Sequence, residues 1–265
     1  MPELPEVETI RRSIRAQVEQ TTVLGCNVLW SKTVALPSVS EFSQKIVGQS
    51  ILEVNRRGKF IVLKLTMDSL LIHLRMSGDL LIKENSYTPA KHDRLILSLS
   101  RGISLVFNDT RKFGRVWLVP DPEFVTGDLG PEPLDEAFTL PLFHQILRTS
   151  QKNIKAFLLD QNMIAGMGNI YTDEALFLAG IRPTNRTSEL NDQQIEQLHR
   201  SIIFVLKEGI AQNGASFDWV YRGGNFQNNF NVYQRENLEC RVCGNKISKI
   251  RVSSRGTHFC SICQR

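Results

Sequence analysis

Two pairs of cysteines near the C-terminus constrain the fold more than any other feature: Cys240-Arg241-Val242-Cys243, sixteen intervening residues, then Cys260-Ser261-Ile262-Cys263. Each C-x-x-C is a tight turn that aims two thiolates at one point, and two such turns complete a tetrahedral Zn2+ site. Two disulfides would use the same four residues, but they need an oxidising compartment, and nothing else in the sequence points to one. With four protein ligands the site is closed, so one zinc per chain would be structural. Between the pairs, Ile247, Ile250 and Val252 alternate with Lys246, Lys249, Arg251 and Arg255, which predicts a β-hairpin with one basic edge. Zinc ribbons serve proteins, RNA and DNA alike, so this one does not select a function. The fifth cysteine, Cys26, stands alone and reads as a small buried apolar residue.

The charge of the chain is concentrated in the same region. Residues 234–265 hold seven Lys or Arg against Glu236 and Glu239, which equals the formal charge of +5 for all 265 residues. Four thiolates around Zn2+ would subtract two charges and still leave a basic tail. A pI near 9.0 permits a nucleic-acid partner without requiring one. There is no apolar run of about 18 residues, and the opening MPELPEVETIRR carries acids where a secretory signal would carry bases. The chain therefore reads as cytoplasmic, nucleoid-associated if bacterial, and with no membrane partner.

Periodicity divides the rest. Val7, Ile10, Ile14 and Val18 recur at three- and four-residue spacing and predict an amphipathic helix over 5–19. From Thr22 to about Pro120 follow eight short β-rich runs (22–29, 51–55, 60–65, 70–74, 80–82, 94–99, 103–107 and 116–119), a spacing that favours a β-sandwich or barrel. Gly127–Pro133 reads as a linker. Beyond it the pattern is helical, around Phe143, Ile146 and Leu147, over 154–159 and over 170–178. A long helix is opened by the Asn191/Gln194 capping pair and closed by Asn213-Gly214. Residues 215–237, rich in Gly and Asn and without periodicity, predict a mobile loop.

The N-terminus offers a second chemical signal. Removing methionine before a small residue would expose the secondary amine of Pro2, next to Glu3. An α-amino group has a pKa of about 8 against about 10.4 for lysine, so more of it is free base at neutral pH. Such amines form Schiff bases with carbonyls. From these residues alone the plainer reading, two prolines stiffening the start of a helix, is the commoner one.

Taken together, the motifs resemble one family along the whole chain in order. Met1-Pro2-Glu3-Leu4-Pro5-Glu6-Val7-Glu8-Thr9, Arg56-Arg57-Gly58-Lys59-Phe60, His73-Leu74-Arg75-Met76-Ser77-Gly78 and Asp109-Thr110-Arg111-Lys112-Phe113-Gly114 are similar to the motifs of bacterial formamidopyrimidine-DNA glycosylases. So are Leu129-Gly130-Pro131-Glu132-Pro133, Gly166-Met167-Gly168-Asn169-Ile170-Tyr171 and Arg255-Gly256-Thr257-His258-Phe259-Cys260.

The resemblance implies an α+β multidomain fold: an N-terminal helix on a β-sandwich (1–130), a helix–two-turns–helix DNA-binding domain with a lesion-covering loop (131–237) and a C-terminal zinc finger (238–265). It implies a monomer that excises oxidised purines from double-stranded DNA and then cleaves the backbone by β,δ-elimination. Pro2 would be the Schiff-base nucleophile and Glu3 the general acid, while Lys59 would serve β-elimination and a phosphate contact. Asn169 and Arg255 would grip phosphates, Arg255 also serving the δ-elimination. His92, Arg111, Lys152 and Lys155 would lie at or near DNA-contacting positions. Met76, Arg111 and Phe113 would form a wedge that fills the gap left when the damaged base is flipped out. Taken singly, Met76 and Phe113 would more often be core, and Asn169 an N-cap.

This sequence departs from the family pattern in three places. Gln234 replaces a glycine in Val232-Tyr233-Gln234-Arg235, Ser253-Ser254 stand where Ala-Gly often precede the arginine, and Phe217, Trp219 and Tyr221 arrange the lesion-covering loop unusually. Three rival readings are weaker. The related endonuclease VIII type, directed at oxidised pyrimidines, usually opens Pro-Glu-Gly-Pro, whereas Leu4 stands here. A non-catalytic DNA-binding protein would lack Pro2, Glu3 or Lys59, and a zinc-ribbon accessory protein leaves the N-terminal motifs unexplained.

Overall fold

Helix α1 (Leu4–Val18) forms where the apolar period predicts it, and Val7, Ile10, Ile14 and Val18 are all buried in the core. Burying each such side chain contributes about 1.5–3 kcal/mol. Polar contacts fix the helix to its neighbouring strand: Arg11 donates to Val54 O at 3.1 Å, and the Val54 N–H donates to Glu19 at 2.9 Å. The computed structural model describes residues 1–216 and 223–265. Phe217, Trp219 and Tyr221, which the sequence places in a lesion-covering loop, lie outside the described residues.

The described residues form two compact units. The first holds residues 6–128 with Met1 and Pro2. Its strands are β1 (Thr21–Val28), β2 (Val34–Leu36), β3 (Ser50–Arg57), β4 (Phe60–Leu65), β5 (Ser69–His73), β6 (Gly78–Glu84), β7 (Asp93–Leu99), β8 (Ile103–Asp109) and β9 (Arg115–Val119). They are ordered β2-β9-β5-β4-β3-β1-β7-β8-β6. Strand β1 belongs to both layers of the sandwich: Thr21 and Thr22 pair with β3, a register shift follows between Val23 and Gly25, and the rest pairs with β7. A bulge is how one strand turns between two packed sheets. Between the sheets and α1 lies one core, including Val23, Ile51, Ile61, Leu63, Leu97 and Phe107.

Eight strands were legible from alternation, but helix α2 (Val39–Ile46) and β2 were not. Helix α2 is short, capped by Ser38, whose Oγ accepts the Glu41 N–H, and it buries only Phe42 and Ile46. Two apolar residues are too few to show a period. A further short helix, α3 (Glu123–Thr126), closes the unit.

The second unit holds residues 129–216 and 223–265 together with Glu3–Pro5. It contains α4 (Leu140–Arg148), α5 (Ile154–Leu159), α6 (Asn169–Leu178), α7 (Asp192–Ala211) and the hairpin β10 (Ser248–Val252) and β11 (Arg255–Phe259). The Asn191/Gln194 pair forms the reciprocal cap at the start of α7, with bonds of 2.9 and 3.0 Å. Composition separates a zinc segment from the helices, whereas packing joins them: Cys240, Ile247 and Cys260 share a core with Phe177 and Val232. The described part of the predicted loop is likewise packed, with a 3-10 turn at Phe226–Asn229 and Phe226, Phe230 and Val232 buried.

The sequence departures leave a backbone signature. Gln234 has φ 55°, and Ser253 and Ser254 have φ 48° and 63°, so these residues adopt left-handed conformations that suit glycine better. Left-handed conformation costs a non-glycine residue about 1–2 kcal/mol, part of which is offset because glycine also loosens the unfolded chain. Gln234→Gly is therefore expected to stabilise the protein by about 0.5–1 kcal/mol, raising the melting temperature by about 1–3 °C. A variant that melts lower would show that the Gln234 side chain contributes more than its strain costs.

Candidate functional site

In the first unit, two turns carry the residues expected to enter DNA, and one carboxylate holds both. Asp109, 1% exposed, accepts from Ser77 Oγ at 2.5 Å, from the Arg111 N–H at 3.1 Å and from the Gly114 N–H at 2.7 Å. Ser77 follows Met76, so the Met76 turn and the Arg111–Phe113 turn are pinned to the same side chain. Gly114 cannot carry a side chain, because a Cβ would lie 2.3 Å from the Phe107 ring. Phe113 is 49% exposed and Met76 36%, so neither is core. The Arg111 guanidinium lies 5.2 Å from the centre of the Phe113 ring, a cation–π pair that keeps both side chains together. His92 joins this group through its carbonyl, which accepts the Asp109 N–H at 2.8 Å.

Lys59 stands at the turn between β3 and β4 and is buried. Glu8 orders that turn from α1: it binds Arg11, Arg12 and Arg56, and Arg56 in turn donates to Gly58 O at 3.1 Å. Burial raises the Glu8 carboxyl, but the bonds from Arg11 and Arg12 and the charges of Arg11 and Arg56 bring it down to about 2. Opposite Phe60 sits His73, whose Nδ1 accepts the Arg75 N–H at 3.0 Å, leaving its proton on Nε2. Burial, then the charges of Arg75 and Lys59, push His73 down to about 3. His73 is thus a neutral donor, a role that its motif in the sequence did not reveal.

Both shifts make the protein acid-sensitive, in different windows. His73 binds a proton in the unfolded chain below about 6.5 but in the fold only below about 3, so stability falls as pH drops across that interval. Glu8 adds stability above its unfolded value near 4.5, and this is lost as pH falls towards about 2. Denaturant midpoints should therefore decline in two stages. His73→Gln should flatten the upper stage and Glu8→Gln the lower; unchanged profiles would refute these assignments.

In the second unit, Glu3 is 2% exposed and caps α6 from outside the helix. The Ile170 and Tyr171 N–H groups donate to its carboxylate at 3.0 and 3.3 Å. The helix start is positively polarised and has no side chain of its own at the cap, because residue 168 is glycine. A Cβ on Gly168 would lie 2.2 Å from Glu3 Cδ, so the carboxylate occupies the place of that side chain. Leu4 secures the same segment by donating to Gly166 O at 3.1 Å. Pro2, the preceding residue, is buried, while Met1 is 45% exposed.

Lys155, expected at or near a DNA contact, is 0% exposed: its Nζ donates to Asp173 Oδ1 at 2.6 Å and to Gly256 O at 3.1 Å. It lies on the buried face of α5 with Ile154 and Leu158, and its charge is neutralised inside the protein. Lys152 is exposed, in an ion pair with Asp160. Asn169 begins α6 and donates to Gly256 O at 3.0 Å. Arg255 is exposed at the first position of β11.

Asp173 and Glu174 went unnoticed in the sequence, although two successive acids inside an apolar ten-residue helix were a signal. Glu174 accepts the N–H groups of Asn231, Val232 and Tyr233, each at 2.9 Å, and the Asn231 amide at 3.0 Å. Burial still pushes its carboxyl above the usual range.

The four cysteines meet as expected. Their Sγ atoms all lie within 4.8 Å of one another, with Cys240–Cys263 at 3.9 Å and Cys243–Cys260 at 3.5 Å. Four sulfurs about 2.3 Å from one Zn2+ would lie about 3.8 Å apart, whereas a disulfide needs about 2.05 Å. The donor set fits one structural zinc.

Comparison with known proteins agrees with this geometry. Residues 1–116 match the formamidopyrimidine-DNA glycosylase N-terminal domain, 129–219 the H2TH domain of the same enzymes and 237–265 the zinc finger found in FPG and IleRS. The chain is 42% identical to the formamidopyrimidine-DNA glycosylase of Pelotomaculum thermopropionicum, covering 100% of this chain and 99% of that protein. It is 43% identical to that of Pediococcus pentosaceus with the same coverage. A solved structure of a Lactococcus lactis FPG mutant with Fapy-dG-containing DNA superposes with a TM-score of 0.93 at 37% identity, and MutM with carbocyclic 8-oxo-G-containing DNA does the same. Both cover 100% of each chain. Among the described residues, no helix is long and apolar enough to cross a membrane.

Proposed function

Since this chain belongs to the formamidopyrimidine-DNA glycosylase family, a family of DNA-repair enzymes, we propose that it removes oxidised purines from double-stranded DNA and then cuts the strand, using Pro2 as nucleophile. With Met1 removed, the Pro2 nitrogen attacks the sugar C1′ as the glycosidic bond breaks. Glu3 supplies a proton to the departing base or to the opening sugar ring. The resulting imine makes the C2′ proton acidic; its loss, served by Lys59, expels the 3′ phosphate, and a second elimination, served by Arg255, expels the 5′ phosphate. Ring-opened purines and 8-oxoguanine are the substrates, and the enzyme acts as a monomer on nucleoid DNA in the cytoplasm.

One observation carries this reading: Glu3 is held by two backbone N–H groups at a helix start that a side chain on residue 168 would block. A purely structural cap would more simply be a Ser or Asp at 168 itself. Reaching the acid across from residue 3 instead fixes the position of the residue next to the nucleophile. The exposed Met76, Arg111 and Phe113 fit a wedge that stabilises the flipped state. Asn169 would grip a phosphate, while His92, Lys152 and the buried Lys155 would lie at or near DNA-contacting positions.

Borohydride is expected to trap a covalent adduct between the protein and a duplex bearing one 8-oxoguanine, with Met1 absent from the intact mass. Pro2→Gly, which keeps a primary amine, should trap and cleave more slowly by an order of magnitude or more. Parental rates in that variant, or an active protein that retains Met1, would remove Pro2 from the mechanism.

A further inference from the structure

Among the described residues the zinc hairpin has two strands, so β11 has one edge paired with β10 and one without a strand partner. In the register of the pair, Gly256 faces Arg251 and His258 faces Lys249. With a two-residue turn at Ser253-Ser254, these are the positions whose N–H and C=O groups point away from β10. His258 is buried, and its N–H left unpaired there would cost about 1–3 kcal/mol.

Side chains of α5 and α6 take the place of a third strand. Lys155 Nζ and Asn169 Nδ2 both donate to Gly256 O, at 3.1 and 3.0 Å. Asp173 accepts the His258 N–H at 2.9 Å and lies 3.3 Å from His258 Nδ1. Lys155 and Asp173 close the arrangement with their own bond of 2.6 Å, both fully buried. Gly256 follows Arg255 directly, so the carbonyl that receives two donors belongs to the residue beside the exposed guanidinium. Ser253 and Ser254, on the other side of Arg255, are in left-handed conformations, and that end is tied to the start of α5 only by a long bond of 3.5 Å from Asn153 Nδ2 to Ser253 Oγ.

We infer that Lys155 and Asp173 are positioning residues for Arg255, setting the height and direction of β11 and hence the place of its guanidinium in the second elimination. This rests on the role proposed above for Arg255. The pair is costly, since two charges are withdrawn from water and a similar volume of apolar side chains would often be as stable. What apolar side chains could not do is hold Gly256 O and His258 N in place. Electrostatics agree that Arg255 is close: burial pushes the Lys155 ammonium below its usual value, Asp173 and Glu3 oppose this, and the charge of Arg255 adds to it.

The test uses the full-length, zinc-loaded protein and a duplex with one abasic site. Lys155→Met combined with Asp173→Asn removes the charges together, so no lone buried ion remains. The double variant should bind one zinc and trap with borohydride within about twofold of the parent, while the β,δ-product fraction falls about tenfold or more, as a displacement of about 1 Å can cost up to ~10²-fold. Arg255→Ala is the control. If it leaves the β,δ fraction unchanged, the proposed role of Arg255 fails. If Arg255→Ala lowers the fraction and the double variant does not, the positioning inference fails. Equal loss of trapping and of β,δ product, or a double variant that does not fold or hold zinc, would assign the pair to stability alone and overturn the inference.

Discussion

Gly168→Ala is expected to reduce lesion excision by about 10²–10⁴-fold, the range lost when a positioned acid–base group is removed. The added methyl would occupy the space of Glu3 Cδ, 2.2 Å away, and nothing backbone-related forbids alanine, since φ at 168 is −135°. Alanine would expel the carboxylate from the Ile170 and Tyr171 N–H groups while leaving α6 itself intact. Glu3→Gln should match it in effect, and the double variant should be no worse than either single one, because both disable the same group. Binding to undamaged duplex should stay near the parental level in all three. Should Gly168→Ala excise 8-oxoguanine at the parental rate, Glu3 would not need this anchorage, and the observation that carries the functional reading would be lost.

Loss of zinc is the second large effect. Structural zinc contributes about 10–16 kcal/mol in zinc-finger peptides, more than a hairpin of five-residue strands can replace by packing. Cys243→Ser, or chelation of the parent, is expected to unfold residues 238–265 and to lower affinity for lesion-bearing duplex by about 10²-fold or more, since Arg255 and the basic edge are lost with it. The first unit has its own core and should keep its β-sheet circular dichroism. Metal analysis should find one zinc per chain. A folded, active preparation without zinc would overturn the assignment.

What the sequence revealed and concealed follows from how far each determinant reaches. The sandwich strands and α7 were legible because alternation, the 3.6-residue period and the Asn191/Gln194 cap are all local. The cysteine cluster was legible because its ligands come in close pairs. The burial of Lys155 was hidden for the opposite reason: the partners that hold its charge, Asp173 and Gly256, lie 18 and 101 residues away. The anchoring of Glu3 was likewise invisible, since residue 168 announces only flexibility when read as a lone glycine. Gln234 departs from the family pattern, and its φ of 55° puts it in the left-handed region that suits glycine, which its identity alone did not show.

The distance in sequence between Glu3 and its partners has a consequence during synthesis. The bonds from Ile170 and Tyr171 span 167 and 168 residues, so the second residue to leave the ribosome after Met1 waits for more than half the chain before it can be seated. At about 5–20 residues per second, that wait is roughly 10–30 s. The sandwich core from Val7 to Leu118 can close well before then. A nascent chain of this protein thus carries a folded sandwich core and an unseated Glu3 until α6 appears, so the proposed catalytic end of the chain waits for its later half. Fragments ending before residue 169 should fold in part and excise nothing.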